Sequence, residues 1–231
     1  MGWVSLFSGG KDSAFALHRA RAAGRDVDRL LTVHPGVDSY LYHVPLTELT
    51  NLAAESIGLP LVEVDPGDLG AATATDATAQ GDAELEPLEA ELRALRDVTG
   101  VVAGAIESRY QATRLQGVCD RLDLELATPL WGADPDTLAT EMVAAGFEIV
   151  IVQVAAAGLD EDWLGRTLDA DAIADLHRLG EEYGVHPLGE GGEFETLVTD
   201  GPHMARPIDL EYTTVWDGSR GHIDVQDARL A

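Results

Sequence analysis

One lysine occurs in this chain, and it stands in Ser8-Gly9-Gly10-Lys11-Asp12-Ser13, between the apolar run Trp3-Val4-Ser5-Leu6-Phe7 and a helical pattern. Residues of these types at this spacing can hold an anion. Gly9 and Gly10 can take positive φ and let the main chain approach a ligand closely, with their N–H groups turned toward it. From Ser13 onward (Ala14, Phe15, Ala16, Leu17, His18) the spacing is helical, so free N–H groups and the positive end of a helix dipole face the same point. Ser8 and Ser13 add hydroxyl donors, and Lys11 adds a compact charge expected to aim at a solvent-facing phosphate. Asp12 separates the lysine from the serine, which excludes the G-x-x-x-x-G-K-[ST] phosphate loop. The bland alternative is a Gly-Gly turn closing a strand-helix corner.

A second constellation lies in Gly189-Glu190-Gly191-Gly192-Glu193-Phe194-Glu195-Thr196, continuing to Asp200. Carboxylates this dense, spaced by glycines, suit a cation such as Mg²⁺ or the orientation of an amine. A solvated acidic turn is the alternative. The run into the apolar strand Thr196-Leu197-Val198 favours acids held in place.

The elements that must position these residues alternate in type. Apolar runs at 3–7, 29–34, 60–64, 100–105 and 147–154 read as strands. Helical patterns cover 13–23, 45–57, 83–98, 107–122 and 134–145. Continuous apolar strands with helices between them predict an α/β fold, a Rossmann-like parallel sheet covered on both faces. Ligands of such sheets bind at the carboxyl ends of the strands, where residues 8–13 fall. Residues 65–82, rich in Asp, Gly, Ala and Thr, read as a mobile connection, either a plain loop or a lid. Beyond Pro129-Leu130-Trp131 a further helix (170–183) and alternating segments near 207–215 and 221–227 predict a smaller α+β region with antiparallel strands. We expect a boundary near 125–132, giving domains 1–128 and 129–231.

The formal net charge is −26, with 41 acidic residues against 15 basic ones. The acids are dispersed along helices rather than gathered in a tail, which describes a charged surface and not a disordered segment. Scarce lysine, many acids and abundant alanine resemble proteins of salt-loving archaea, in which molar salt shortens screening to about 3 Å. Without a basic stripe to displace counterions, nucleic-acid binding is not expected. The lone cysteine, Cys119, excludes an intramolecular disulfide and falls in a predicted helix as a buried thiol. No apolar run reaches membrane-spanning length and the chain opens directly on a strand, so a cytoplasmic protein with no membrane partner is expected.

The hexapeptide 8–13 resembles the PP-loop of the ATP pyrophosphatases. Together with Ser39-Tyr40-Leu41-Tyr42-His43, the stretch Val102-Ala103-Gly104-Ala105-Ile106-Glu107-Ser108-Arg109-Tyr110-Gln111, Pro129-Leu130-Trp131, Gly158-Leu159-Asp160 and the 189–196 loop, it is similar to the diphthine–ammonia ligases over nearly the whole chain. Leu41 and Phe194 depart from that pattern, where methionine and tyrosine are common. The resemblance implies a ligase, with ATP and Mg²⁺, that converts diphthine on a histidine of translation elongation factor 2 to diphthamide with ammonium through an acyl-adenylate, releasing AMP and pyrophosphate. It implies that Ser8, Gly9, Gly10, Lys11, Asp12 and Ser13 bind the phosphates, with Asp12 on the metal, and that Gly104, Ser108, Tyr110, Gln111 and Arg114 line the nucleotide cleft. Lys11, Glu190, Glu193 and Glu195 are the expected catalytic residues, with Asp200 beside them. Trp131 reads as a core tryptophan or as a cation–π partner of the acceptor. Other PP-loop enzymes amidate or thiolate a small molecule or tRNA, and a non-catalytic nucleotide sensor of related fold is also open, as is a homodimer.

Overall fold

The computed structural model describes residues 2–33, 46–64, 85–107 and 109–231, with the side chains of 46–48, 110 and 111 excepted. The 39–43 motif, the 65–82 connection and Ser108 lie outside the described residues. Five strands, β1 (Gly2–Leu6), β2 (Val27–Val33), β3 (Leu61–Val64), β4 (Val98–Val102) and β5 (Glu125–Ala127), pair in parallel in the order β3-β2-β1-β4-β5. Their side chains alternate between two apolar layers. On one face Val4, Leu31, Val64 and Val101 meet Leu88 and Leu92 of α3 (Glu86–Ala94) and Val118 and Cys119 of α4 (Arg109–Leu122). On the other, Phe7, Leu30 and Val102 belong to the cluster holding Ala14, Phe15 and Leu17 of α1 (Lys11–Ala22) and Leu49, Ala53 and Ile57 of α2 (Leu46–Ile57). Both faces being buried explains why these strands read as continuous apolar runs.

The chain leaves β1 through α1 toward β2 and later enters β4 on the opposite side of β1. Connections diverging in this way open a crevice at the carboxyl ends of the two central strands. The loops after β1 and β4, residues 7–10 and 103–107, are therefore brought together by topology.

A second, antiparallel sheet contains β6 (Glu148–Val154), β7 (Phe194–Asp200), β8 (Ile208–Trp216) and β9 (Gly221–Leu230) in the order β7-β6-β9-β8. Ahead of it, α5 (Pro135–Ala144) starts on Asp134, whose carboxylate accepts the Thr137 N–H at 2.9 Å, with proline at the first helical position. Between β6 and β7, α6 (Ala170–Tyr183) is capped by Asp169 and closed by Gly184 at φ +77°. One apolar cluster joins α1 and α2 to Ile149, Ile151, Leu197, Ile223 and Val225 of this sheet. The α1–α2 layer thus serves both sheets.

Three sequence expectations are corrected. The run 147–154 is a strand but belongs to the antiparallel sheet, and the fifth parallel strand is Glu125–Ala127, three residues too short to register as an apolar run. The helical pattern 83–98 ends at Ala94, because Leu95 is extended and Asp97 takes φ +62°, and Val98 already begins β4. Residues 103–105 leave the sheet rather than extend it, apart from the Ala103 N–H, which still reaches Ala127 O at 2.9 Å.

Candidate active site

The loop after β1 leans on the outer edge of β7. Gly9 O accepts the Val198 N–H at 2.9 Å, and the Lys11 N–H donates to Thr196 Oγ1 at 3.2 Å. β7 is paired with β6 on its other side, so this edge would otherwise be bare. Gly9 takes φ +83°, as expected of a glycine there. Gly10 does not: its φ is −76°, and a Cβ there would crowd Thr196 O at 3.3 Å. Within the loop the Ser13 hydroxyl donates to Gly10 O at 3.0 Å and accepts the Ser8 N–H at 3.2 Å. Gly10, at the N-cap, has no side chain to cap α1; Thr196 takes the Lys11 N–H, and the N–H groups that follow leave the positive end of the helix open to an anion.

Lys11 is not solvent-facing. Its exposure is 5%, and Nζ stands 2.8 Å from Asp12 Oδ2, 4.0 Å from Glu190 Oε1 and 6.0 Å from the centre of the Phe194 ring. Two carboxylates of different origin, one on α1 and one on the 189–193 loop, thus share one ammonium. Burial, and next the charge of Asp12, push the Glu190 carboxyl up to about 7, while Lys11 pulls the other way; Glu107 and Glu193 add smaller repulsions. Glu195 is also raised, first by burial in the wall of the cleft, with Lys11 opposing and Asp12 adding to the rise. Its side chain still reaches solvent. Asp12 Oδ1 is buried without a hydrogen-bond partner.

The acidic loop is braced from within. Glu193 Oε1 accepts the His186 N–H at 3.1 Å and Oε2 accepts the Gly191 N–H at 2.8 Å, while its main-chain oxygen takes the Ala155 N–H. This carboxylate shapes the loop rather than facing the crevice with both oxygens free. His186 Nδ1 accepts from Leu188 N–H at 3.1 Å, which fixes its other nitrogen as the protonated one. Gly189, at φ +70°, lets the turn fold against β7, where a Cβ would come within 2.8 Å of Phe194 O. Asp200 does not join the group. It lies five residues beyond Glu195 at the far end of β7, roughly 17 Å along the strand, where it holds the Gly201 N–H.

The loop after β4 closes the crevice. A Cβ on Gly104 would lie 2.7 Å from the Asp12 carbonyl carbon and 2.9 Å from Ser13 N, so only glycine lets the two loops meet. Glu107, named in a motif but given no role, is close enough to raise Glu190. Thr196, which takes the Lys11 N–H, likewise carries no role in the sequence pattern. Both sit beside residues that were singled out, which is the signal that could have found them. Arg114 is half-buried in α4; Ser108 and the side chains of Tyr110 and Gln111 lie outside the described residues. Trp131 is 42% exposed and is not a core residue. Its turn is tied to the β4 loop by the Gly132 N–H donating to Ile106 O at 3.0 Å. Cys119 is a core thiol, pushed up to about 11 by burial. Among the described residues no helix is long and apolar enough to cross a membrane.

Two family models cover this chain. The diphthamide synthase N-terminal domain matches residues 1–126 and the diphthamide synthase C-terminal domain matches residues 134–231. The chain belongs to the diphthamide synthase family. It is 37% identical over 222 residues to the diphthine–ammonia ligase of Danio rerio, covering 91% of this chain and 86% of that protein. The Homo sapiens diphthine–ammonia ligase is 35% identical over 225 residues, 92% of this chain and 84% of that one. The Schizosaccharomyces pombe diphthine–ammonia ligase is 34% identical over 95% of this chain, which spans 38% of its length. Within the diphthamide synthase frame, Lys11 and Asp12 come from the part matched by the N-terminal model, and Glu190, Glu193 and Glu195 from the part matched by the C-terminal model. The 4.0 Å approach of Lys11 to Glu190 joins the two.

Proposed function

We propose that the chain is an AMP-forming ligase that joins ammonium to the carboxylate of diphthine, carried on a histidine of translation elongation factor 2. The observation that carries the reading is the meeting of Lys11 with Asp12 and Glu190 where the open end of α1 faces the acidic loop. A carboxylate does not accept ammonia directly, because its oxygen is a poor leaving group. In the first step the acceptor carboxylate oxygen attacks the α-phosphorus of ATP; that P–O bond forms as the bond to the β-phosphate oxygen breaks. Pyrophosphate leaves into the Gly9–Ser13 loop, where Lys11 and the α1 N–H groups meet the charge as it develops. In the second step ammonia attacks the acyl carbon, the bond to AMP breaks, and one proton is lost.

Ammonium must shed a proton before it can attack. Glu190, titrating near neutrality, is suited to take it. Glu195 and Glu107 add the negative field that draws in ammonium or the trimethylammonium group of diphthine. Glu193 acts by holding the loop. A bare nucleotide entering here meets one ammonium among several carboxylates, so a divalent cation is needed. The unpartnered Asp12 Oδ1 is an oxygen of this chain that would hold Mg²⁺ beside the phosphates. When bound, Mg²⁺ neutralises the phosphate oxygens. The test is product analysis with ATP, an ammonium salt and diphthine-bearing elongation factor 2: amide, AMP and pyrophosphate in equal amounts support the reading, and ADP with free phosphate overturns it.

A further inference from the structure

One side chain anchors the phosphate loop to a strand of the other sheet. Thr196 Oγ1 accepts the Lys11 N–H at 3.2 Å, across 185 residues of sequence. Lys11 is the first residue of α1, and the first N–H groups of a helix have no partner of their own. The same edge is held two residues further on by Gly9 O accepting the Val198 N–H, so the loop is fixed at both ends of its turn. Thr196 also follows Glu195 directly and pairs with Ile151 of β6, so its backbone has a support in the sheet besides the loop it touches.

We propose that Thr196 is a positioning residue: its hydroxyl sets the main chain of Lys11, and through it the direction of the ammonium shared by Asp12, Glu190 and an incoming pyrophosphate group. This rests on residues 8–13 being a phosphate loop. The backbone contact at Gly9 cannot do the work alone, because it holds the loop ahead of the residue whose side chain matters. The hydroxyl has a second effect. By occupying the Lys11 N–H it leaves the anion to the later N–H groups of α1 and to the side chain of Lys11, which favours a group lying over the ammonium rather than one lying against β7.

The test compares Thr196→Val, which keeps the branched shape and loses the acceptor, with Thr196→Ser, which keeps the acceptor. Pyrophosphate binding is measured by calorimetry with magnesium present, and exchange of the Lys11 amide is followed by hydrogen–deuterium exchange on the full chain. The expected result is a loss of about fivefold in pyrophosphate affinity in the valine variant, the size of one hydrogen bond, with a change under about twofold in the serine variant. Lys11 amide protection should fall in the valine variant and persist in the serine variant. Pyrophosphate binding by the valine variant equal to the original chain overturns the proposal, and so does a serine variant as weak as the valine one. Should the valine variant fail to fold, an unprotected Lys11 amide in the unaltered chain overturns it by itself. A chain that binds no pyrophosphate at all defeats the phosphate-loop reading beneath it, a result distinct from these.

Discussion

Glu190 Oε1 stands 4.0 Å from Lys11 Nζ, and the two residues reach that contact from opposite ends of the chain. The ammonium opposes the burial and the Asp12 charge that push the Glu190 carboxyl up. Removing either member changes more than the one group removed.

Lys11→Met should abolish AMP formation, since no other cation can take its place in the loop. Because Lys11 is buried against Asp12, the variant should also lose about 2 kcal/mol of stability, a charged hydrogen bond's worth. Thermal melting and pyrophosphate release measured together check this. A variant that turns over ATP at the original rate would sink the assignment of the loop.

The pH–rate profile should have an acidic limb near pH 7, because Glu190 must be ionised to take a proton and its carboxyl is pushed up to about 7. Activity rises as pH rises through that value. Glu190→Gln should lower the rate by roughly ten- to a hundredfold and erase the limb. An unchanged profile in the variant assigns the proton transfer elsewhere.

The three loop glutamates should separate by the sign of their effect on stability. Glu193→Gln puts an amide NH₂ against one of two backbone N–H groups, which costs about 1–2 kcal/mol. Glu190→Gln and Glu195→Gln remove carboxylates whose ionised forms are disfavoured in place, and above pH 7 they should leave stability unchanged or raise it. Melting temperatures of the three variants at pH 8 decide the matter; equal losses in all three would contradict the bracing role of Glu193.

His203, in the turn after β7, carries two buried ring nitrogens without partners, beside His18 and Phe147. Burial, then the nearby His18 and Arg21, push it down to about 4 from 6.5. Between those values the unfolded chain binds a proton that the folded chain refuses. Stability from this residue is complete above pH 6.5 and is lost as pH falls toward 4, by about 3 kcal/mol in all. The raised Glu190 has the opposite slope between 4.5 and 7, so the two partly offset. His203→Leu should flatten the fall in melting temperature across pH 6.5 to 4. An identical slope in the variant would show that the imidazole is protonated without cost.

With 26 excess negative charges, the melting temperature should rise with KCl up to molar levels, as screening shortens from about 10 Å at 0.1 M to about 3 Å at 1 M. A melting curve indifferent to salt would remove the basis for the halophilic reading.

How much of this was legible in the sequence depended on how local the cause was. Helices α5 and α6 carry their own stop signals in Asp134, Pro135, Asp169 and Gly184, and their limits were read to within a residue. The strand-loop-helix turn at residues 8–13 was legible because strand, glycines, lysine and helix are contiguous. What could not be read were choices made by distant partners. The sheet to which Glu148–Val154 belongs is settled by β7 and β9, not by its own apolar pattern. Glu193 and Glu195 are alike in sequence, yet one is held by His186 and Gly191 and the other faces Lys11 and Asp12. The burial of Lys11 likewise follows from distant partners, Glu190 and Phe194, and not from its own loop.

The α1–α2 layer shared by the two sheets has a consequence for anyone who would take the chain apart. Cutting it after β5 would strip α1 and α2 of the surface that covers Phe15, Leu49 and Ile57, and would release the phosphate loop from its neighbour on β7. The first fragment would carry the 8–13 loop and Gly104 and lack the β7 edge on which that loop leans. Expressed apart, the halves should be sticky and silent; mixed, they should regain binding only by reassembling, which makes this seam a natural place to build a split reporter of ATP.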